Sequence, residues 1–123
     1  MARILIVDDE PGVLEFLEEL VASRGHEVET AGSGQEAVAK ARAWSPHLML
    51  LDVRMPGMDG IEALVKIREF SPDLPVLMMT AVKEEEVARQ AMDLGAFDYI
   101  TKPVSLDRLE MLMETKLIEV LGE

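Results

Sequence analysis

Short apolar runs alternate with helical patterns five times along the chain, and this alternation constrains the fold more than any other feature. Four runs are largely continuous, as expected of strands buried on both faces of a parallel sheet. They are residues 4–7, 48–51, 76–79 and 97–100. The second run in chain order, residues 27–31, alternates polar and apolar side chains and predicts an edge strand. The pattern indicates an α/β fold, a doubly wound parallel sheet with helices on both faces.

The predicted helices follow the strands and begin at residues that are typical of helix termini. Ser33, with Glu36 three residues later, is typical of a capping box, and Asp59 is a second capping residue. The last helix is expected to run from near Ser105 towards Leu121, and the fourth to cover about residues 84–94. Because no internal repeat or interior linker interrupts the pattern, residues 1–123 are expected to form one domain.

The composition argues against several classes of protein. The chain has 12 basic and 24 acidic residues, a net charge of −12, whereas gripping a nucleic-acid backbone needs clustered Lys and Arg. We therefore expect no direct nucleic-acid binding by this domain. It has no Cys, so a disulfide framework or a Cys-based zinc site is excluded. The lack of an apolar membrane-length run and of a signal-peptide layout predicts no membrane span and favours the cytoplasm.

Chemically active side chains follow the predicted strands at the edge where such a sheet binds its ligands. They are Asp8 and Asp9 after the first strand, Asp52 after the third, Thr80 after the fourth and Lys102 after the fifth. If the first and third strands are neighbours, the three carboxylates share a pocket and repel one another. A hard cation relieves this repulsion, and oxygen ligands without His or Cys favour Mg²⁺, with Mn²⁺ as a substitute.

The same pocket has the parts that phosphoryl transfer requires. Asp52 offers a nucleophilic carboxylate, while the Thr80 hydroxyl and the Lys102 ammonium can spread the charge of a phosphoryl group. None of these candidate residues is a general base of the histidine type.

Four sequence blocks resemble the response regulator receiver domains of two-component signalling, the CheY-like family. The blocks occur in the family's order and spacing: residues 6–10 (IVDDE), 50–60 (LLDVRMPGMDG), 79–81 (MTA) and 99–103 (YITKP). The resemblance spans essentially the whole chain. It implies a flavodoxin-like (βα)5 fold with strand order 2-1-3-4-5.

The resemblance also implies a metal site and a phosphoacceptor. Asp52 would accept the phosphoryl group and, together with Asp9, would contact Mg²⁺ directly. Asp8 would act largely through water, and the backbone carbonyl of Arg54 would be a further ligand.

Four other positions match residues that respond to the phosphoryl group in the family. Lys102 would pair with it, and Thr80 would move to form a hydrogen bond with it. Ala81 would donate a backbone amide and leave access to the site. Tyr99 would be the switch aromatic, although a tyrosine in a strand is in general more often a core residue.

The implied partners are a phosphodonor and an output. The donor would be a phosphohistidine on a sensor histidine kinase or phosphotransfer protein, or a small acyl phosphate. The output partner or domain would contact the fourth helix, fifth strand and fifth helix, and a homodimer on activation is a further candidate. The implied role is a switch rather than an enzyme, with only weak intrinsic self-phosphorylation and autodephosphorylation.

Two other functions are less consistent with the residues of the pocket. A flavodoxin-like cofactor protein is disfavoured because the carboxylates after the first strand would repel a nucleotide phosphate. An aspartyl-phosphate phosphatase would need a second Asp where Arg54 stands.

The last helix carries a main apolar stripe that includes Val120. Met111 and Ile118 lie off this stripe, and they form either a contact face or an ordinary surface. The motifs are common to stand-alone receivers and to receivers within larger regulators.

Overall fold

Strands and helices alternate throughout the computed structural model, which describes residues 1–81 and 85–122. Residue 84, where the fourth helix is expected to begin, lies outside these ranges. The strands are β1 (Arg3–Val7), β2 (Glu27–Ala31), β3 (Leu48–Asp52), β4 (Val76–Thr80) and β5 (Asp98–Thr101). The helices are α1 (Pro11–Ser23), α2 (Gly34–Trp44), α3 (Gly60–Phe70), α4 (Glu85–Asp93) and α5 (Leu106–Leu121). Within the same ranges, no helix is long and apolar enough to cross a membrane.

The five strands form one parallel sheet in the order β2-β1-β3-β4-β5, which confirms the expected order and the edge position of the alternating strand. In this sheet Val7 pairs with Leu51, so Asp8, which follows β1, lies at the same level as Asp52, the last residue of β3. Thr80 pairs with Thr101 in the neighbouring strands. The register therefore brings the ends of β1, β3, β4 and β5 to one edge.

The two helix caps expected from the sequence are present. The amide of Glu36 donates to the Ser33 hydroxyl over 3.1 Å, and the amide of Glu62 donates to the Asp59 carboxylate over 2.9 Å. The Glu36 carboxylate accepts from the amide of Gly32 rather than from that of the capping Ser33. These bonds satisfy amides that the first turn of a helix leaves without a partner, and they fix where α2 and α3 begin.

The hydrophobic core lies on both faces of the sheet because alternate strand residues point to opposite sides. Leu5 and Met49 pack on the face covered by α2, α3 and α4, whereas Ile4 and Leu48 pack on the face covered by α1 and α5. All four side chains are fully buried. Burying each contributes about 1.5–3 kcal/mol relative to exposure, so the strands that carry the polar edge are firmly held.

The last helix departs from the expected stripe at one residue. Leu109, Met113 and Leu117 are buried, a row with four-residue spacing that continues to the partly buried Leu121. Val120 is about half exposed, so its inclusion in the stripe was wrong. Adjacent residues of a helix point about 100° apart, and Val120 therefore lies beside the row that reaches the sheet.

Candidate functional site

Asp8, Asp52 and Lys102 converge at the edge of the sheet, as the sequence predicts. The Lys102 ammonium donates a hydrogen bond to Asp8 Oδ2 over 3.0 Å and lies 3.3 Å from Asp52 Oδ2. The backbone of Lys102 is also held, because its amide donates to the carbonyl of Thr80 over 2.7 Å. The next peptide bond, Lys102–Pro103, is cis. Lys102, which follows β5, thus links the residues at the carboxyl ends of β1 and β3.

The Asp52 carboxylate is buried, and one of its two oxygens lacks a hydrogen bond within the described part of the chain. Its side chain is 4% exposed, and Oδ2 accepts no hydrogen bond from any residue that the structure describes. Burial and, next, the charge of Asp8 raise the pKa of Asp52 to about 6, against the opposing effects of Lys102 and the Arg54 amide. Near pH 7 the group is therefore mostly ionised, and the cost of burying its charge is only partly offset.

The Lys102 ammonium is held in its charged form. Burial acts to lower the pKa of this group, but the hydrogen bond to Asp8 and the charges of Asp52 and Asp8 outweigh burial, and the net shift is upward. A lysine that stays charged in a pocket open to solvent is suited to pair with a phosphoryl group.

A third carboxylate, which the sequence reasoning did not assign, joins the two aspartates after β1. Oxygen atoms of Asp8, Asp9 and Glu10 all lie within 4.8 Å of one another. Within the described part of the chain this group does not extend to Asp52, so the expected pairing of Asp9 with Asp52 as direct ligands stays a prediction. The signal for Glu10 was its position directly after the aspartate pair.

The residues present fit a hard divalent cation. Asp8, Asp9, Glu10 and Asp52 supply only carboxylate oxygens, the ligand type that Mg²⁺ and Mn²⁺ prefer. One of these oxygens, Asp52 Oδ2, is buried without a hydrogen-bond donor from the described residues. The role of the Arg54 carbonyl as a further ligand stays a prediction.

Thr80 lies at the same edge, where its hydroxyl is bonded to the backbone. The residue is 1% exposed, and its hydroxyl donates to the carbonyl of Ala81 over 2.8 Å. Ala81 follows directly and is exposed. A phosphoryl group on Asp52 would offer this hydroxyl a charged acceptor in place of a carbonyl, and hydrogen bonds to charged groups are the stronger kind.

Tyr99 lies outside the pocket, on the face between α4 and β5. Its exposed fraction is 36%, and it lines a cavity of about 250 Å³ with Glu85, Arg89 and Met92 of α4. The ring is therefore not a core residue, and it borders space on the surface that the resemblance assigns to output.

Comparison with known proteins identifies response regulators as relatives of this chain. The sequence model of the response regulator receiver domain family matches residues 4–114. The regulatory protein AtoC of Escherichia coli K12 is 43% identical over 115 residues, covering 94% of this chain and 25% of that protein. The alkaline phosphatase synthesis regulator PhoP of Bacillus subtilis is 42% identical over 103 residues, covering 84% of this chain and 43% of that protein.

Solved structures agree with the sequence matches. The CheY-like receiver domain protein of Methanospirillum hungatei JF-1 matches with a TM-score of 0.93 at 33% identity, covering 99% of this chain and 98% of that one. NtrX of Brucella abortus matches with a TM-score of 0.90 at 35% identity, covering 97% of this chain and 27% of that one. The chain thus spans about a quarter of the length of relatives such as AtoC and NtrX.

Proposed function

This chain belongs to the response regulator receiver domain family of two-component signal transduction, and we propose that Asp52 accepts a phosphoryl group from a sensor histidine kinase in a Mg²⁺-dependent reaction. One observation carries the proposal. Asp52 Oδ2 is buried without a hydrogen bond from the described residues, and the Lys102 ammonium lies 3.3 Å from it while donating to Asp8. A carboxylate in this setting is both ionised and open to a new bond.

The proposed reaction needs no general base in the pocket. An oxygen of the ionised Asp52 forms a bond to phosphorus, the phosphorus–nitrogen bond of the donor phosphohistidine breaks, and the leaving imidazole takes up a proton. Lys102 pairs with the charge on the transferred group, and the Ala81 amide donates to it. Mg²⁺ held by Asp8, Asp9 and Asp52 would supply positive charge that neutralises the transferred group.

The proposed role is a switch with slow chemistry of its own. Arg54 stands two residues after Asp52, where a phosphatase of the aspartyl-phosphate type would have a second acid. Since no acid at that position can activate water or protonate a leaving group, turnover of outside substrates is not expected. Loss of the phosphoryl group from Asp52 is expected to be slow.

The proposed output surface is the face formed by α4, β5 and α5. The Thr80 hydroxyl leaves the Ala81 carbonyl for the phosphoryl group, and β5 senses the change because Thr80 pairs with Thr101 and its carbonyl accepts from the amide of Lys102. Tyr99, two residues before Thr101, borders the cavity beside α4 and can move into it. An effector, an output domain or a second copy of the chain then reads the new surface.

The proposed donor approaches over a groove next to the pocket. A cavity of about 430 Å³ is lined by Glu10, Phe16, Lys102 and Pro103, among others, and Phe16 is half exposed. Because Glu10 and Lys102 belong to both groove and pocket, a kinase or phosphotransfer protein that delivers to Asp52 would cover it. We place this exchange in the cytoplasm, where kinases draw on ATP.

We also propose that the receiver domain extends over residues 1–123. The family model ends at residue 114, but α5 continues to Leu121, and Leu117 is buried against the sheet. A helix that buries a core residue beyond the matched range belongs to the same domain.

The first prediction concerns phosphorylation. Incubation with Mg²⁺ and acetyl phosphate or phosphoramidate is expected to add one phosphoryl group, seen in the intact mass. Asp52→Ala is expected to add none, whereas Asp98→Asn, which changes an acid of β5, is expected to add one. An equal increment in Asp52→Ala would remove Asp52 as the acceptor.

The second prediction concerns the switch. Beryllofluoride, which stands in for a phosphoryl group, is expected to shift the amide resonances of β5 and α5 in ¹⁵N-labelled protein and to leave those of β2 nearly unchanged. Thr80→Ala is expected to reduce the shifts at Tyr99 at least about threefold, because the hydroxyl that links the bound beryllofluoride to β5 is gone. Shifts of equal size in Thr80→Ala would show that the signal bypasses Thr80.

A further inference from the structure

We propose that Glu10 is a fourth carboxylate of the metal pocket and sets its affinity for divalent cations. The inference rests on the proposed Mg²⁺ site and goes beyond it, because the motifs assign metal roles to Asp8, Asp9, Asp52 and Arg54 only. Its starting point is geometric: the carboxylate oxygens of Asp8, Asp9 and Glu10 lie within 4.8 Å of one another.

The Lys102 ammonium links Glu10 to the buried acceptor. Lys102 Nζ lies 3.8 Å from Glu10 Oε1, 3.0 Å from Asp8 Oδ2 and 3.3 Å from Asp52 Oδ2. The last of these oxygens is the buried one that has no hydrogen-bond donor among the described residues. Three carboxylates thus surround the single positive charge of Lys102. The net negative charge that remains would favour binding of a divalent cation.

The side chain of Glu10 is available for this role. Glu10 precedes the first residue of α1, yet its carboxylate makes no capping hydrogen bond in the described structure, and Pro11 opens the helix. Its own amide donates to Asp8 Oδ1 over 3.0 Å, which ties its backbone to the pocket. The side chain is 65% exposed, so it stands at the mouth, where a hydrated cation enters and waters remain bound.

The expected effect of Glu10 follows from its charge. In a largely aqueous setting, the charge of a nearby carboxylate would raise the affinity for a divalent cation by a factor of about five to ten. Glu10→Gln keeps the size and removes the charge. Glu10→Asp keeps the charge on a shorter side chain, and Glu15→Gln removes a charge from an exposed residue of α1 outside the pocket.

The experiment is a Mg²⁺ titration at constant ionic strength, followed by amide resonances of Val7 and Val53 next to the pocket. The inference predicts a Kd about five- to tenfold higher for Glu10→Gln, and values within about threefold of the natural chain for Glu10→Asp and Glu15→Gln. Glu10→Gln binding as tightly as Glu15→Gln would overturn the role of Glu10.

An Asp52→Asn titration separates this inference from the proposed function. If Asp52→Asn weakens binding and Glu10→Gln does not, the Mg²⁺ site stands and the role of Glu10 falls. If the natural chain shows no saturable shift with Mg²⁺, the metal pocket itself is wrong, and the inference falls with it.

Discussion

Gly60→Ala is expected to lower the free energy of unfolding by about 3 kcal/mol or more. A Cβ atom at this first residue of α3 would lie 2.2 Å from the carbonyl oxygen of Asp52 and 2.9 Å from Cα of Val53. Both are backbone atoms, so no side chain can rotate away. The amide of Gly60 also donates to the carbonyl of Val53 over 2.8 Å, which holds the helix against the end of β3. The clash would therefore displace the residue that we propose as the phosphoacceptor.

Gly12→Ala is the matched control for this substitution. Gly12 lies in the first turn of α1, and a Cβ atom there would meet nothing within 4 Å. Since alanine loses less conformational entropy than glycine in a helix, Gly12→Ala is expected to leave stability unchanged or raise it by up to about 1 kcal/mol. Urea unfolding followed by circular dichroism measures both variants. Equal, small effects of the two substitutions would show that α3 can move away from β3 at little cost.

Asp52→Asn is expected to stabilise the fold near pH 7.5 by about 2 to 3 kcal/mol in the absence of divalent cations. Burial and the charge of Asp8 raise the pKa of Asp52 to about 6 in the folded state, from an ordinary value near 3.8. Above pH 6 the folded protein must hold this carboxylate ionised in a site that disfavours the charge. Asparagine keeps the shape of the side chain and removes that charge.

The stabilisation by Asp52→Asn is expected to depend on pH, because Asp52 gains and loses its proton at different pH values in the folded and unfolded states. Between about pH 4 and pH 6 the folded chain binds a proton at Asp52 more tightly than the unfolded chain does. The contribution of this group to stability therefore rises as pH falls through 6 and levels off below about pH 3, where both states are protonated. The advantage of Asp52→Asn is thus expected to be largest at pH 7.5 and to shrink as the pH approaches 4.

Urea unfolding of the two chains at pH 7.5, 6 and 4.5 measures this difference. Glu19→Gln, which removes an exposed charge from α1, is the control and is expected to change stability by less than about 0.5 kcal/mol at each pH. A difference between Asp52→Asn and the natural chain that stays constant with pH would mean that the Asp52 charge is already well satisfied.

The fold was open to prediction because its signals are periodic and local. Short continuous apolar runs between turn residues indicate buried strands. Ser33 and Asp59 mark helix starts because each side chain accepts a hydrogen bond from the amide three residues later. The order of the strands came from the resemblance, since alternation alone gives the layers and not the sequence of neighbours. Val120 shows the limit, because a stripe drawn slightly too wide includes a residue that faces solvent.

The sequence predicts which residues form the candidate site better than it predicts the hydrogen bonds between them. Asp8, Asp52 and Lys102 could be placed at one edge because parallel strands bring their carboxyl ends together. The direction of the Thr80 hydroxyl, towards the Ala81 carbonyl, depends on a side-chain torsion that no sequence pattern reports. Glu10 was missed because its part in the pocket depends on the path of a long, exposed side chain towards Lys102.

The central claim, that Asp52 carries the phosphoryl group, is tested most directly by locating the modified residue. Borohydride reduces an acyl phosphate to an alcohol, so an aspartyl phosphate becomes homoserine, and peptide mass mapping identifies its position. After incubation with Mg²⁺ and phosphoramidate, we expect homoserine at position 52 and aspartate at positions 8 and 9. Homoserine at position 8 or 9, or a phosphorylated chain without homoserine, would contradict the account.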